Sequence, residues 1–193
     1  MKRAFKFSAI LALLFSTNGA MGAEPKITME EARKKIAIEL DNPKTDYQVR
    51  LIDMDNHVIY SKWVKKNEIR DKRLDLNKLA FGIYVLTVEN HLRVEEFVIA
   101  IEKTKLSLVS NYTKFKPAFR KKDGRIYLNL LNLDLNPVSI EVHDAMDRLL
   151  FSETMDNTLD VSKSFNFEKA FSGSYIITVG DGASVYTEEV NVY

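Results

Sequence analysis

The chain contains no cysteine. That excludes a disulfide framework, a thiolate metal site and an acyl-anchored cysteine behind a leader, so an exported form would rest on its apolar core alone. Glycine (7) and proline (4) are scarce among the 193 residues, which excludes collagen-like and low-complexity chains. The three histidines, His57, His91 and His143, have no spacing that would bring two onto one metal, and no His-Glu-x-x-His stretch occurs. Neither a Gly-x-Ser-x-Gly elbow nor a glycine-rich phosphate loop is present. Charge of one sign is lacking too. Lys and Arg number 28 against 27 Asp and Glu, so nothing electrostatic points to nucleic acid. No apolar run approaches the roughly 20 residues needed to cross a bilayer as a helix. The sequence therefore nominates no catalytic residue, no cofactor and no metal ligand, and it reads as non-enzymatic.

What is present begins with a leader-like segment. Lys2, Arg3 and Lys6 precede the apolar run Phe7 to Phe15, and the small residues Thr17 to Ala23 follow. Basic, apolar and small segments in that order predict a secretory signal peptide over 1–23, cut after Gly22 or Ala23. Its loss removes three basic residues and takes the formal charge from +1 to −2.

The remainder contains one unit twice. Val49 to Ser61 aligns with Ile140 to Ser152 at an offset of 91, matching Asp53 to Asp144. Without a gap, the same offset carries Gly82-Ile-Tyr84-Val-Leu-Thr-Val88 onto Gly173-Ser-Tyr175-Ile-Ile-Thr-Val179. Two separated blocks in one register indicate a duplication. Each copy alternates apolar and polar residues with the period of two of half-buried strands, as at Val138, Ile140 and Val142. Asp53–Asn56 and Asp144–Asp147 read as hairpin turns. Strands are predicted at Val58–Val64, Arg73–Leu76, Tyr84–Val88 and Val94–Ile101, with counterparts at Leu149–Met155, Ser164–Phe167, Tyr175–Val179 and Val185–Val192. Opening strands fall near Lys35–Leu40 and Arg125–Leu131. The expected fold is all-β: two tandem antiparallel immunoglobulin-like or fibronectin-like sandwiches, over 24–102 and 117–193, joined by a connector at 103–116.

Several local features bear on function. Thr28-x-x-Glu31 before Ala-Arg-Lys-Lys has the form of a capping box and allows a short helix. Lys103, Lys105, Lys114, Lys116, Arg120, Lys121 and Lys122 make the connector region basic. A solvated connector is favoured over an anion site there, and Leu106, Leu108 and Val109 suggest a strand within it. Asp53-x-Asp55-Asn56 lacks the glycine and distal glutamate of a calcium loop. Gly82 and Gly173 sit at strand entries, and Tyr84 and Tyr175 should bury their rings and bond a backbone carbonyl, as in a tyrosine corner. Trp63 aligns with Thr154 of the other copy, so the shared core does not require it. It could anchor a partner, pack between modules, or lie partly buried at a sheet edge.

Asn42-Pro43, Asp53, Leu74-Asp75-Leu76, Leu79, Gly82 and Tyr84 together resemble the C-terminal sorting domain of type IX secretion cargo. Asn136-Pro137, Asp144, Phe165-Asn166-Phe167, Gly173 and Tyr175 repeat the pattern. The family usually has glycine in the first hairpin turn, where Asn56 and Asp147 stand. The resemblance implies a small sandwich and an address in the Gram-negative periplasm or at the cell surface. It further implies an envelope or secretion-pathway protein as partner. The functional expectation is a structural or protein-interaction role, with secretion cargo or surface display as one alternative and a carbohydrate-binding or carbohydrate-active accessory protein as another.

Overall fold

The computed structural model describes residues 25–40, 45–66 and 70–193, the side chains of 70 and 71 excepted. The predicted leader and Asn42-Pro43 lie outside the described residues.

Fifteen strands and one 3-10 turn make up the described chain. In the first copy β1 (Lys26–Glu30), β2 (Lys35–Leu40) and β5 (Arg70–Asp75) form one sheet in the order β1-β2-β5. The opposing sheet has the order β4-β3-β6-β7-β8, from β3 (Tyr47–Asp53), β4 (Val58–Val64), β6 (Gly82–Glu89), β7 (Arg93–Ile101) and β8 (Leu106–Phe115). The second copy places β9 (Ala118–Lys122), β10 (Arg125–Leu131) and β13 (Asp160–Asn166) in the order β13-β10-β9. Against it lie β11 (Val138–Asp144), β12 (Leu149–Met155), β14 (Gly173–Gly180) and β15 (Val185–Val192), ordered β12-β11-β14-β15. Every pairing is antiparallel. The fold is two antiparallel β-sandwiches of the immunoglobulin-like or fibronectin-like kind, with seven strands in the second.

The alternating sequences explain the layers. Ile36, Ile38 and Leu40 of β2 turn inward against Val49 and Leu51 of β3 and Leu86 and Val88 of β6, all nearly inaccessible to water. Ile126, Leu128 and Leu130 do the same against Ile140, Val142, Ile177 and Val179 in the second core. Truncating any one of these leucines or isoleucines to alanine costs ~2–5 kcal/mol, the transfer term plus the cavity left behind.

The duplication extends to irregular details. Each copy has a β-bulge at the same place, between Leu51 and Ile52 and between Val142 and His143. The bulges leave Ile59 and Leu150 without cross-strand partners, and both are exposed. A bulge re-aims side chains and bends the strand. Asp53 Oδ1 accepts from the N–H groups of Asp55 and His57, both at 2.9 Å. Asp144 Oδ1 accepts from those of Met146 (2.9 Å) and Arg148 (3.0 Å). These are Asx turns, closed over Asn56 and Asp147 at φ of 63° and 58°.

Two strands, β1 and β9, depart from the sequence expectations, and two segments left open take a definite form. The capping-box segment is not an α-helix: Thr28 lies in β1, and only Glu31–Arg33 form a 3-10 turn. β1 and β9 each precede the strand expected to open its copy. The strand suggested by Leu106, Leu108 and Val109 is present as the ten-residue β8, which pairs with β7 from Arg93 to Ile101 and so extends the first sandwich's sheet.

Candidate functional site

Trp63 stands on β4, the edge of the five-stranded sheet, opposite Gln48 of β3. It is 54% exposed, and the Lys65 ammonium lies 5.6 Å from its ring centre. A cation over an indole face at the surface contributes about 0.5–1 kcal/mol. The ring borders a depression of 250 Å³ whose other walls include Thr45, Asp46, Glu89, His91 and Lys116. Lys65 donates to Asp46 (2.8 Å), as does the Lys66 backbone N–H (2.9 Å), and together they hold that carboxyl below its ordinary range. Glu89 accepts from both Arg50 (2.9 Å) and Lys116 (2.6 Å). An indole among fixed opposite charges suits a partner that offers one apolar group and polar atoms around it.

The two tyrosines lie at the far end of their sheets. Tyr84 pairs with Asp53, whereas Trp63 pairs with Gln48 five residues away, about 17 Å along the strand. Trp63 and Tyr84 are therefore not brought together. Tyr84 is 6% exposed, and its hydroxyl donates to the Ala80 carbonyl at 3.0 Å. Tyr175 is 8% exposed and donates to the Phe171 carbonyl at 2.9 Å. Gly82 and Gly173 both take φ of 155°, outside the range of L side chains, while an added Cβ would meet nothing within 4 Å. Backbone conformation, not crowding, selects glycine at these strand entries.

Asp53, Asp55 and His57 can bring one ligand atom each to within 4.8 Å of one another. Hydrogen bonds from the His57 backbone N–H, the His57 ring and the Asp55 N–H together hold Asp53 below its ordinary pKa, despite the opposing effect of burial. In the second copy Arg148 replaces His57 and closes on Asp144 with Nε at 2.7 Å. The aspartate common to the two copies is engaged in closing its turn.

Two further features emerge only in three dimensions. The modules meet at a joint where Lys114 of β8 reaches Asp181 (2.8 Å) and the Ser184 hydroxyl (3.0 Å). Burial pushes the Asp181 carboxyl up, but Lys114 and the N–H groups of Ser184 and Ala183 outweigh it and leave the group below its usual range. Tyr112, also on β8, donates to the Asp134 carboxylate, which with partial burial pushes the phenol up to about 12. Separately, an open apolar cleft of 580 Å³ lies between β12 and β13, lined by Leu150, Phe151, Phe165, Phe167, Phe171 and Tyr175. Its sequence signal is the replacement of Tyr60, Leu74, Leu76 and Leu79 of copy one by Phe151, Phe165, Phe167 and Ala170.

The shared turns, glycines and tyrosine corners are the signature to compare with other proteins. Residues 32–101 match the secretion system C-terminal sorting domain. The sorting-domain match thus covers β2 to β7, most of the first module. No curated protein matches the chain. Among solved structures, the biofilm associated protein BSP domain aligns at 12% identity and a TM-score of 0.29, over 88% of this chain and 29% of that one. The chicken CNTN1 FN1-FN3 domains align at 11% identity and a TM-score of 0.29, over 89% of this chain and 66% of that one. The chain therefore spans less than a third of the first of these proteins and about two thirds of the second. No helix of the described residues is long and apolar enough to cross a membrane.

Proposed function

We propose that this chain is an exported protein of the Gram-negative envelope or cell surface that acts by binding another protein rather than by catalysis. The observation that carries the reading is the sorting-domain match over residues 32–101. It is supported by the leader-like order of residues 1–23 and by the half-exposed Trp63 on a sheet edge. The binding surface is assigned to Trp63 and the charged residues around it. Cell fractionation with surface proteolysis tests the address, and cross-linking in envelope extract with wild type and Trp63→Ala tests the role. Recovery in the cytoplasm would sink the first part. A cross-linked partner retained undiminished by Trp63→Ala would sink the second.

A second reading follows from the same match: the chain is cargo of the secretion system, with its terminal module, the second copy of the matched unit, as the address. Intact-mass measurement of the surface-exposed protein decides it. Cargo status predicts loss of a C-terminal piece on export, whereas a periplasmic chain still ending at Tyr193 would contradict it.

A further inference from the structure

Because the modules are copies, each shows what the other lacks. β7 and β15 occupy the same place, with Val94–Ile101 matching Val185–Val192. β7 is paired on both edges, with β6 on one side and β8 on the other. β15 is paired along all eight residues with β14, and among the described residues its outer edge pairs with no strand. Over eight residues that edge runs roughly 26 Å and presents a row of backbone donors and acceptors.

The devices that normally blunt such an edge are few here. β15 holds no proline and no lysine, and it pairs with β14 without a bulge; of its outward carbonyls, that of Asn191 accepts from Lys121 Nζ of β9 at 3.4 Å, a contact that an incoming strand would displace. In copy one the covering strand buries Leu106, opposite Ile101, completely in the core. In copy two the position of Ile101 belongs to Val192, only partly buried against its core. That leaves a seat for one apolar side chain at the sheet margin.

Charge narrows the choice of occupant. Glu188 and Glu189 replace Phe97 and Val98 in the middle of the edge. Ser174 donates to Glu189 at 3.0 Å, and no hydrogen bond or ion pair reaches Glu188 among the described residues. If two copies paired their β15 edges antiparallel over the full strand, Glu188 of each would lie directly opposite Glu189 of the other. Like charges directly opposed are destabilising, which disfavours self-pairing. We infer that the outer edge of β15 accepts a basic β-strand from another protein, added antiparallel as a fifth strand in the way β8 completes the first module. The strand would carry Lys or Arg opposite Glu188 and Glu189 and Leu, Ile or Val opposite Val192. Backbone pairing supplies the affinity, and the facing side chains set the choice of partner.

The inference rests on the binding role proposed above, but not on export or on Trp63. The test uses the full chain and a peptide with the β8 sequence, Leu106–Phe115, carrying Ser110→Lys and Asn111→Lys, the positions that would face Glu189 and Glu188. At low salt it should bind wild type at least tenfold more tightly than the same peptide carrying Ser110→Glu and Asn111→Glu. In the Glu188→Lys/Glu189→Lys protein the preference should reverse. Bound peptide should slow amide exchange over 185–192 and leave β4 and β12 unchanged. A peptide N-methylated on the pairing edge should lose binding in both proteins, which separates strand addition from plain charge attraction. Absence of binding, an unreversed preference, undiminished binding of the N-methylated peptide, or protection at β4 or β12 would each overturn the proposal. Should the double variant fail to fold, by its circular dichroism, Glu188→Gln serves instead and must weaken the lysine peptide. Trp63→Ala should bind the peptide like wild type, so failure here and failure of the Trp63 reading are told apart.

Discussion

Lys114 and Asp181 meet at 2.8 Å across the joint between the modules, with both side chains largely withdrawn from water. The same turn in copy one has Asn90, whose Oδ1 accepts from the N–H groups of Leu92 and Arg93 at 2.8 Å each. Asp181 keeps the equivalent bonds, from Ala183 (3.1 Å) and Ser184 (2.8 Å). The carboxylate therefore adds to the asparagine design only a charge, and that charge is directed at Lys114.

Asp181→Asn should retain the turn and leave Lys114 without its counter-ion. A loss of about 1–3 kcal/mol in urea unfolding is expected, the cost of leaving a largely buried donor without its acceptor. Lys114→Met combined with Asp181→Asn should recover part of it. A double-variant loss equal to the sum of the losses of Asp181→Asn and Lys114→Met measured alone would show that the two residues do not couple.

The same pair sets an acid limit. The folded Asp181 carboxyl lies below its ordinary value, so its contribution is fully present above the unfolded pKa of about 4 and is lost as pH falls through the lower folded value. The wild-type melting temperature should drop more steeply below about pH 4 than that of Asp181→Asn. Parallel curves would refute this.

Tyr84→Phe and Tyr175→Phe each remove one hydroxyl donor, from the Ala80 and Phe171 carbonyls respectively. Each should cost about 0.5–1.5 kcal/mol, with similar values in the two modules. A change in envelope cross-linking without a change in stability would instead assign these tyrosines to binding.

Gly82→Ala and Gly173→Ala test backbone strain in isolation, since the new methyl meets no atom within 4 Å. A cost of about 1–3 kcal/mol is expected from φ alone. Neutral substitutions would mean that the strand entry relaxes freely.

Trp63→Ala should lower stability by less than about 1 kcal/mol, the size of an exposed cation–π contact. Thr154 occupies that place in copy two. A larger loss, read from thermal melts, would make the indole structural.

Much of the scaffold was legible because a duplicated period-two pattern is read twice. β2, β4, β10, β12 and β15 lie where the alternation and the turn aspartates put them. β9 was also signalled, by Asp123-Gly124, whose φ values of 49° and 68° make the two-residue hairpin turn that this dipeptide favours. The run of basic residues beside it reads as solvated connector and masks that signal. β1 was obscured because Thr28-x-x-Glu31 fits a helix start as well as a strand leading into a 3-10 turn, and pairing with β2 decides between them. The candidate site was less legible. Exposure of Trp63 could be suspected from Thr154, but the charges around it come from Asp46 before β3, Lys65 after β4, Glu89 at the end of β6 and Lys116 after β8. Lys114 and Asp181 are 67 residues apart, and no local pattern links them.

β8 also decides how the chain can be divided. The repeat period invites a cut after Glu102, yet Leu106 is wholly buried in the first core and Lys114 serves the second module's turn. A first half ending at 102 forfeits its marginal strand and should bare Ile99 and Ile101, becoming adhesive. A second half starting at 117 forfeits the ammonium its buried carboxylate was matched to. Biochemists separating the halves should leave β8 with the first and put Asn at position 181 of the second.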